Sequence, residues 1–145
     1  MLAHVIGALT MHFTAPRAQA TAAFGPVSES IWEPDFKPQF VAQPEPQQAA
    51  GAVFTTGSKV WLLHDYDPAK GVVQYVIVEP KALVVTLTIR VVDAPGGSDA
   101  TMTYDLVPLN DAGAAHAEEL RQHAREMSAE MQSAIAGYLV SHPGS

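Results

Sequence analysis

A chain of 145 residues, 48% hydrophobic and 16% charged, is long enough to bury a core or enclose a cavity within one domain. Its formal net charge of -7 repels phosphate backbones and disfavours nucleic acid as a partner. It has no cysteine, which excludes disulfides, thiolate metal sites and cysteine nucleophiles.

Residues 4 to 13 read as a strand, because Val5, Leu9, Met11 and Phe13 fall at spacings of two and four. The sequence Ala18-Gln19-Ala20 superficially matches a signal-peptide cleavage site. No Lys or Arg precedes the apolar run, however, and His4, Thr10 and His12 interrupt it, so a cytoplasmic protein is expected. No run has the length of a membrane-spanning helix. An Ala-rich helix should begin at Ala15-Pro16 and end near Phe24, where Gly25-Pro26 stops it. The next stretch, FGPVSESIWEPDFKPQFVAQPEPQ, holds a tryptophan, three phenylalanines and five of the eleven prolines. Ser28 to Trp32 can form a helical turn, and the prolines forbid longer regular structure after it. Large apolar groups on so irregular a stretch are expected to form one wall of a pocket, with Trp32, Phe36 and Phe40 closing its mouth.

From Gly51 the texture changes to strands joined by short turns: AVFTTG, KVWLLHDYD, VVQYVIVE, LVVTLTIRVV and ATMTYDLVPL. Such an order predicts an antiparallel meander of six or so strands, with DAPGGSD as a turn before the last. Leu83, Val85, Leu87, Ile89 and Val91 share one face; Val73, Tyr75 and Ile77 share another, and Met102, Tyr104 and Leu106 a third. Residues 59 to 66 carry large apolar groups on both faces, as a bent or bulged strand would. Residues 112 to 140 predict one long helix with a stripe of Leu120, Ala124, Met127, Met131, Ile135 and Tyr138.

The chain resembles the START/Bet v 1-like (SRPBCC) superfamily, in particular its bacterial polyketide cyclase and Hsp90-activator-like branch. The resemblance rests on the element order and on the phrases FTAPRAQATAAF, WEPDFKP, GAVFTT, DYDPAKGVVQYVIVEP and MTYDLVPLN. It implies a single α+β domain with the helix-grip fold, a curved antiparallel sheet wrapped around a long C-terminal helix with an internal apolar cavity. The expected partner is a small apolar ligand: a lipid, a polyketide or an aromatic molecule. No cofactor and no metal is expected, because the six histidines show no HxH or HxxxH spacing.

The candidate ligand-binding residues are Trp32, Phe54, His64, Tyr66, Tyr75, Met102, Tyr104, Met127 and Met131. The tyrosines and histidine would supply polar groups, and the methionines adaptable walls. On a regular strand His64 and Asp65 point to opposite faces and cannot form a dyad, and no nucleophile motif is present, so no catalytic residue is assigned. Three functions remain open: a non-catalytic binder or carrier, a polyketide aromatase or cyclase using cavity Tyr or His, and a protein-interaction module.

Overall fold

In the computed structural model, residues 2–42 and 46–143 are described. Strand β1 (Val5–Phe13) leads into two short helices, α1 (Arg17–Ala22) and α2 (Pro26–Trp32). The strands β2 (Gln39–Phe40), β3 (Val53–Thr56), β4 (Lys59–Asp67), β5 (Val72–Glu79), β6 (Leu83–Ala94) and β7 (Gly97–Pro108) follow. Helices α3 (Asp111–Glu126) and α4 (Ser128–Ser141) close the chain. The seven strands among the described residues form one antiparallel sheet in the order β1-β7-β6-β5-β4-β3-β2, so β1 returns to pair with β7.

Alternation fixes which face is inward. Val73, Tyr75 and Ile77 of β5 are buried, as are Leu83, Val85, Leu87, Ile89 and Val91 of β6, because a strand sends successive side chains to opposite faces. The inward residues of β1 are graded. Val5 and Leu9 are half-buried, whereas Met11 and Phe13 lie in the core, Phe13 meeting Phe24 edge-on. The DAPGGSD segment is tighter than a whole-segment turn. Pairing continues to Asp93 opposite Ser98 and Ala94 opposite Gly97, leaving Pro95-Gly96 as the hairpin loop. Proline presets its own φ, and Gly96 takes φ +79°, a combination that suits a tight reversal.

The helix expected over 112 to 140 is instead two helices that meet at Met127. Met127 has φ -92° and ψ 0°, outside the helical well. The hydrogen bonds nevertheless run through the joint, from the Met127 N–H to the His123 carbonyl at 2.9 Å and from the Met131 N–H to the Met127 carbonyl at 3.0 Å. Ser128 Oγ donates to the Arg125 carbonyl at 2.9 Å, a local bond that competes with the helical ladder at the joint. Asn110 caps α3 by accepting the Gly113 N–H at 2.8 Å. Gly113 itself packs so closely that a Cβ there would lie 1.9 Å from the Ala82 carbonyl oxygen. Helix α3 thus rests on β1, β6 and β7, and α4 meets α2 and β1.

Candidate binding pocket

Between the concave sheet face and helices α2, α3 and α4 lies a pocket of about 460 Å³. Its floor is apolar: Ile77 from β5, Val85, Leu87 and Ile89 from β6, and Met102 and Leu106 from β7. Leu120, Met127 and Met131 form the helical wall, with the joint at Met127 directly on the pocket. Phe24, Trp32 and Trp61 form the aromatic wall.

The aromatic wall is held from behind. Phe54 is fully buried and stacks on Trp61 with ring centroids 5.4 Å apart. Phe36 meets Phe54 and Trp61 edge-on at 5.8 and 5.5 Å, and Phe40 lies 5.3 Å from Phe54. These offset and edge contacts suit the ring quadrupoles and fix the orientation of Trp61. Phe36 and Phe40, expected at the mouth, are therefore backing for the wall. The proline-rich stretch contributes only Trp32 directly from its large apolar groups beyond Phe24, and the Trp32 indole N–H donates to the Ala23 carbonyl at 2.7 Å.

Helix α2 is positioned by one side chain, Gln48. Its Oε1 accepts the N–H groups of Val27 and Ser28, both at 2.9 Å, which satisfies free donors at the start of the helix. Its Nε2 lies 3.0 Å from the Ala22 carbonyl, 3.0 Å from Ser28 Oγ and 2.8 Å from Tyr66 Oη. Gly25 makes this possible, because a Cβ there would fall 2.1 Å from Gln48 Cδ. Tyr138 from α4 also donates to Ser28 Oγ, at 3.2 Å. A glutamine remote in sequence therefore sets how α2 faces the pocket.

What α2 presents is Glu29. Its carboxyl lines the pocket, and among the described residues no cation forms an ion pair with it. Burial, with a smaller contribution from neighbouring Glu33, pushes its pKa from the ordinary 4.5 up to about 8. Some of its surface remains accessible, and that surface borders the pocket. Tyr104 enters from β7, and its phenol is pushed up to about 12, by burial first and then by the Glu29 carboxyl. Tyr75 is raised well above its ordinary range, by burial first and then by Glu29 and Tyr66. Its Oη is already committed, donating to the Phe24 carbonyl at 2.7 Å.

The nine residues proposed from sequence divide here. Trp32, Tyr75, Met102, Tyr104, Met127 and Met131 border the pocket; Phe54, His64 and Tyr66 do not. Phe54 lies behind Trp61, and Tyr66 is held by Gln48. His64 is exposed, for a local reason. In β4, Leu63 pairs with Tyr75 and Asp65 with Gln74, so His64 is the extra residue of a bulge. His64 and Asp65 are both exposed, contrary to the opposite faces expected of a regular strand, and His64 Nδ1 lies 2.8 Å from Gln74 Oε1.

Sequence reasoning passed over Glu29, Trp61 and Arg121. Glu29 and Trp32 stand at i and i+3, so continuing the helix back to Pro26 places them on one face. Arg121 reads as a solvated helix residue, yet it borders the pocket while its guanidinium donates to Glu118 at 2.7 Å. Its stem lies over Gly7, where a Cβ would come within 3.0 Å of Arg121 Cγ.

No family model matches the sequence, and no curated protein matches it. Solved structures do match. Ara h 8.0201 aligns with TM-score 0.72 at 19% identity, over 97% of this chain and 100% of that one. A protein of unknown function from Staphylococcus aureus aligns with TM-score 0.67 at 10% identity, over 96% and 95% of the two chains. An uncharacterised protein from Rhizobium leguminosarum aligns with TM-score 0.64 at 16% identity, over 97% of each. No described helix is long and apolar enough to cross a membrane. The likeness is one of fold, and the chain has the helix-grip fold that Ara h 8.0201 and these bacterial proteins share.

Proposed function

We propose that this protein binds or carries a small hydrophobic molecule between the sheet and its C-terminal helices. The observation that carries this reading is the pocket itself: about 460 Å³, with an exposed surface that is mainly aliphatic and aromatic and with ionisable side chains also bordering it. Pockets of this size and character suit drug-sized apolar ligands. The fold supports the reading without naming a ligand, since one fold hosts many functions. The neutral naphthyl ketone prodan, whose emission reports the polarity around it, provides the test. It should bind with a blue-shifted emission, and Met127→Trp should abolish that binding while the melting temperature stays near wild type. A Met127→Trp protein that unfolds as an overpacked core would would remove the pocket from consideration.

An aromatase- or cyclase-like activity is the alternative, and one feature favours it. Glu29 is a pocket carboxyl whose pKa of about 8 suits proton transfer near neutral pH. Turnover of a poly-ketone that is lost in Glu29→Gln would support that alternative over simple carriage.

A further inference from the structure

Two polar groups reach the apolar pocket from opposite walls without a hydrogen-bond partner of their own. Glu29 comes from α2 and Tyr104 from β7, and neither side chain bonds any described residue. Tyr75 differs, since its hydroxyl is spent on the Phe24 carbonyl. We propose that Glu29 and Tyr104 together form a polar anchor that selects apolar ligands carrying an uncharged carbonyl and rejects those ending in a carboxylate or an ammonium group. The proposal rests on the binding reading above and names its ligand class.

The chemistry follows from the surroundings. A carboxylic acid that keeps its proton is a donor as well as an acceptor, and a phenol is a second donor. A carbonyl oxygen has two lone pairs and can accept from both. A carboxylate ligand would have to lose its hydration in a largely apolar space where it meets the Glu29 carboxyl. Arg121 is engaged by Glu118, while Lys59 and His123 also border the pocket and form no ion pair among the described residues, so the basic groups there are outnumbered rather than absent. The acidic groups Glu33, Glu79 and Glu130 border the same space and add to the repulsion. An ammonium ligand would be drawn by these acidic groups, but it would have to shed its own hydration and ionise a Glu29 carboxyl that burial holds neutral.

The test uses prodan and two analogues, in which a carboxylate or an aminomethyl group replaces the propionyl group. Prodan should bind at least about tenfold more tightly than either analogue at neutral pH. Glu29→Gln keeps a neutral donor and should bind prodan within about twofold of wild type, whereas Glu29→Leu should weaken it about fivefold. Raising the pH through about 8 should weaken prodan binding to wild type and leave Glu29→Gln unaffected. Tyr75, Tyr104 and Glu33, the groups coupled to Glu29, are present in both proteins, so the difference isolates Glu29. Equal binding of the carboxylate, tighter binding of the amine, or a Glu29→Leu protein that binds like wild type would overturn the anchor while leaving hydrophobic binding intact. Failure of prodan to bind at all would overturn both.

Discussion

The two long walls of the pocket are built on different rules. The sheet wall from β5 to β7 repeats a two-residue period, and each inward side chain follows from the one before it. The opposite wall is made of pieces: the seven residues of α2, a joint at Met127, and rings stacked behind Trp61. The regular wall sets Tyr75, Tyr104 and Glu79 among aliphatic side chains, while the assembled wall supplies Glu29. The Glu29 carboxyl therefore sits where local periodicity is weakest, and the same wall divides into packed backing and open pocket.

The largest expected effect tests that division. Phe54 is fully exposed to neighbours and closed to solvent, touching Trp61, Phe36, Phe40 and Tyr75. Phe54→Ala should cost about 3–5 kcal/mol, as expected for a fully packed aromatic. Met131 borders open space, so Met131→Ala should cost less than about 1.5 kcal/mol, below the usual range for a filled core. Urea denaturation of both variants checks the contrast, and equal losses would mean that the helical wall is packed like the backing.

Next in size is the pH dependence that Glu29 imposes. The folded protein holds this proton up to about pH 8, whereas an unfolded glutamate releases it near 4.5. Between these values the native state binds more protons, so stability is fully present at low pH and declines as pH rises. The decline attributable to Glu29 should amount to several kcal/mol by about pH 9 and then level off. Glu29→Gln should remove that component, so the difference in stability between variant and wild type should move in the variant's favour from pH 5 to about pH 9. A constant difference would show that the carboxyl is solvated in the folded state.

Legibility in the sequence follows the same partition. The inward faces of β5, β6 and β7 could be read because a strand's period survives any tertiary context. The bulge in β4 was visible only as a confusion of faces between residues 59 and 66, and which residue was extra depended on pairing with β5. The single helix over 112 to 140 was legible as a stripe, but the joint at Met127 has no glycine or proline to announce it. Glu29 was hidden by its type, since a glutamate on a short helix ordinarily faces water. Its inward orientation depends on Gln48, some twenty residues away, and on close packing at Gly25.

That dependence sets a third expectation. Gln48→Ala removes the acceptor for two helix N–H groups and the donor shared among Ala22, Ser28 and Tyr66. A loss of about 2 kcal/mol is expected, in the range of a lost helix cap. It should also weaken prodan binding, because α2 carries both Glu29 and Trp32. Full binding in a destabilised Gln48→Ala protein would separate the cap from the orientation of the wall.

The smallest effect is expected at His64, and it marks the boundary of the site. The ring is exposed on the far side of β4 from the pocket, and its one side-chain bond, to Gln74, is solvent-facing. Exposed hydrogen bonds compete with water, so His64→Ala should change stability by less than about 0.5 kcal/mol. Prodan affinity should not change either, because Leu63 and Tyr75 stand between the bulge and the pocket interior as buried residues paired across β4 and β5. Measured weakening of the probe would mean that the bulge transmits to the aromatic wall through Trp61, three residues earlier on the same strand. In that case the sheet side and the assembled side would be mechanically coupled, and the division of labour between them would be less sharp than their geometry indicates.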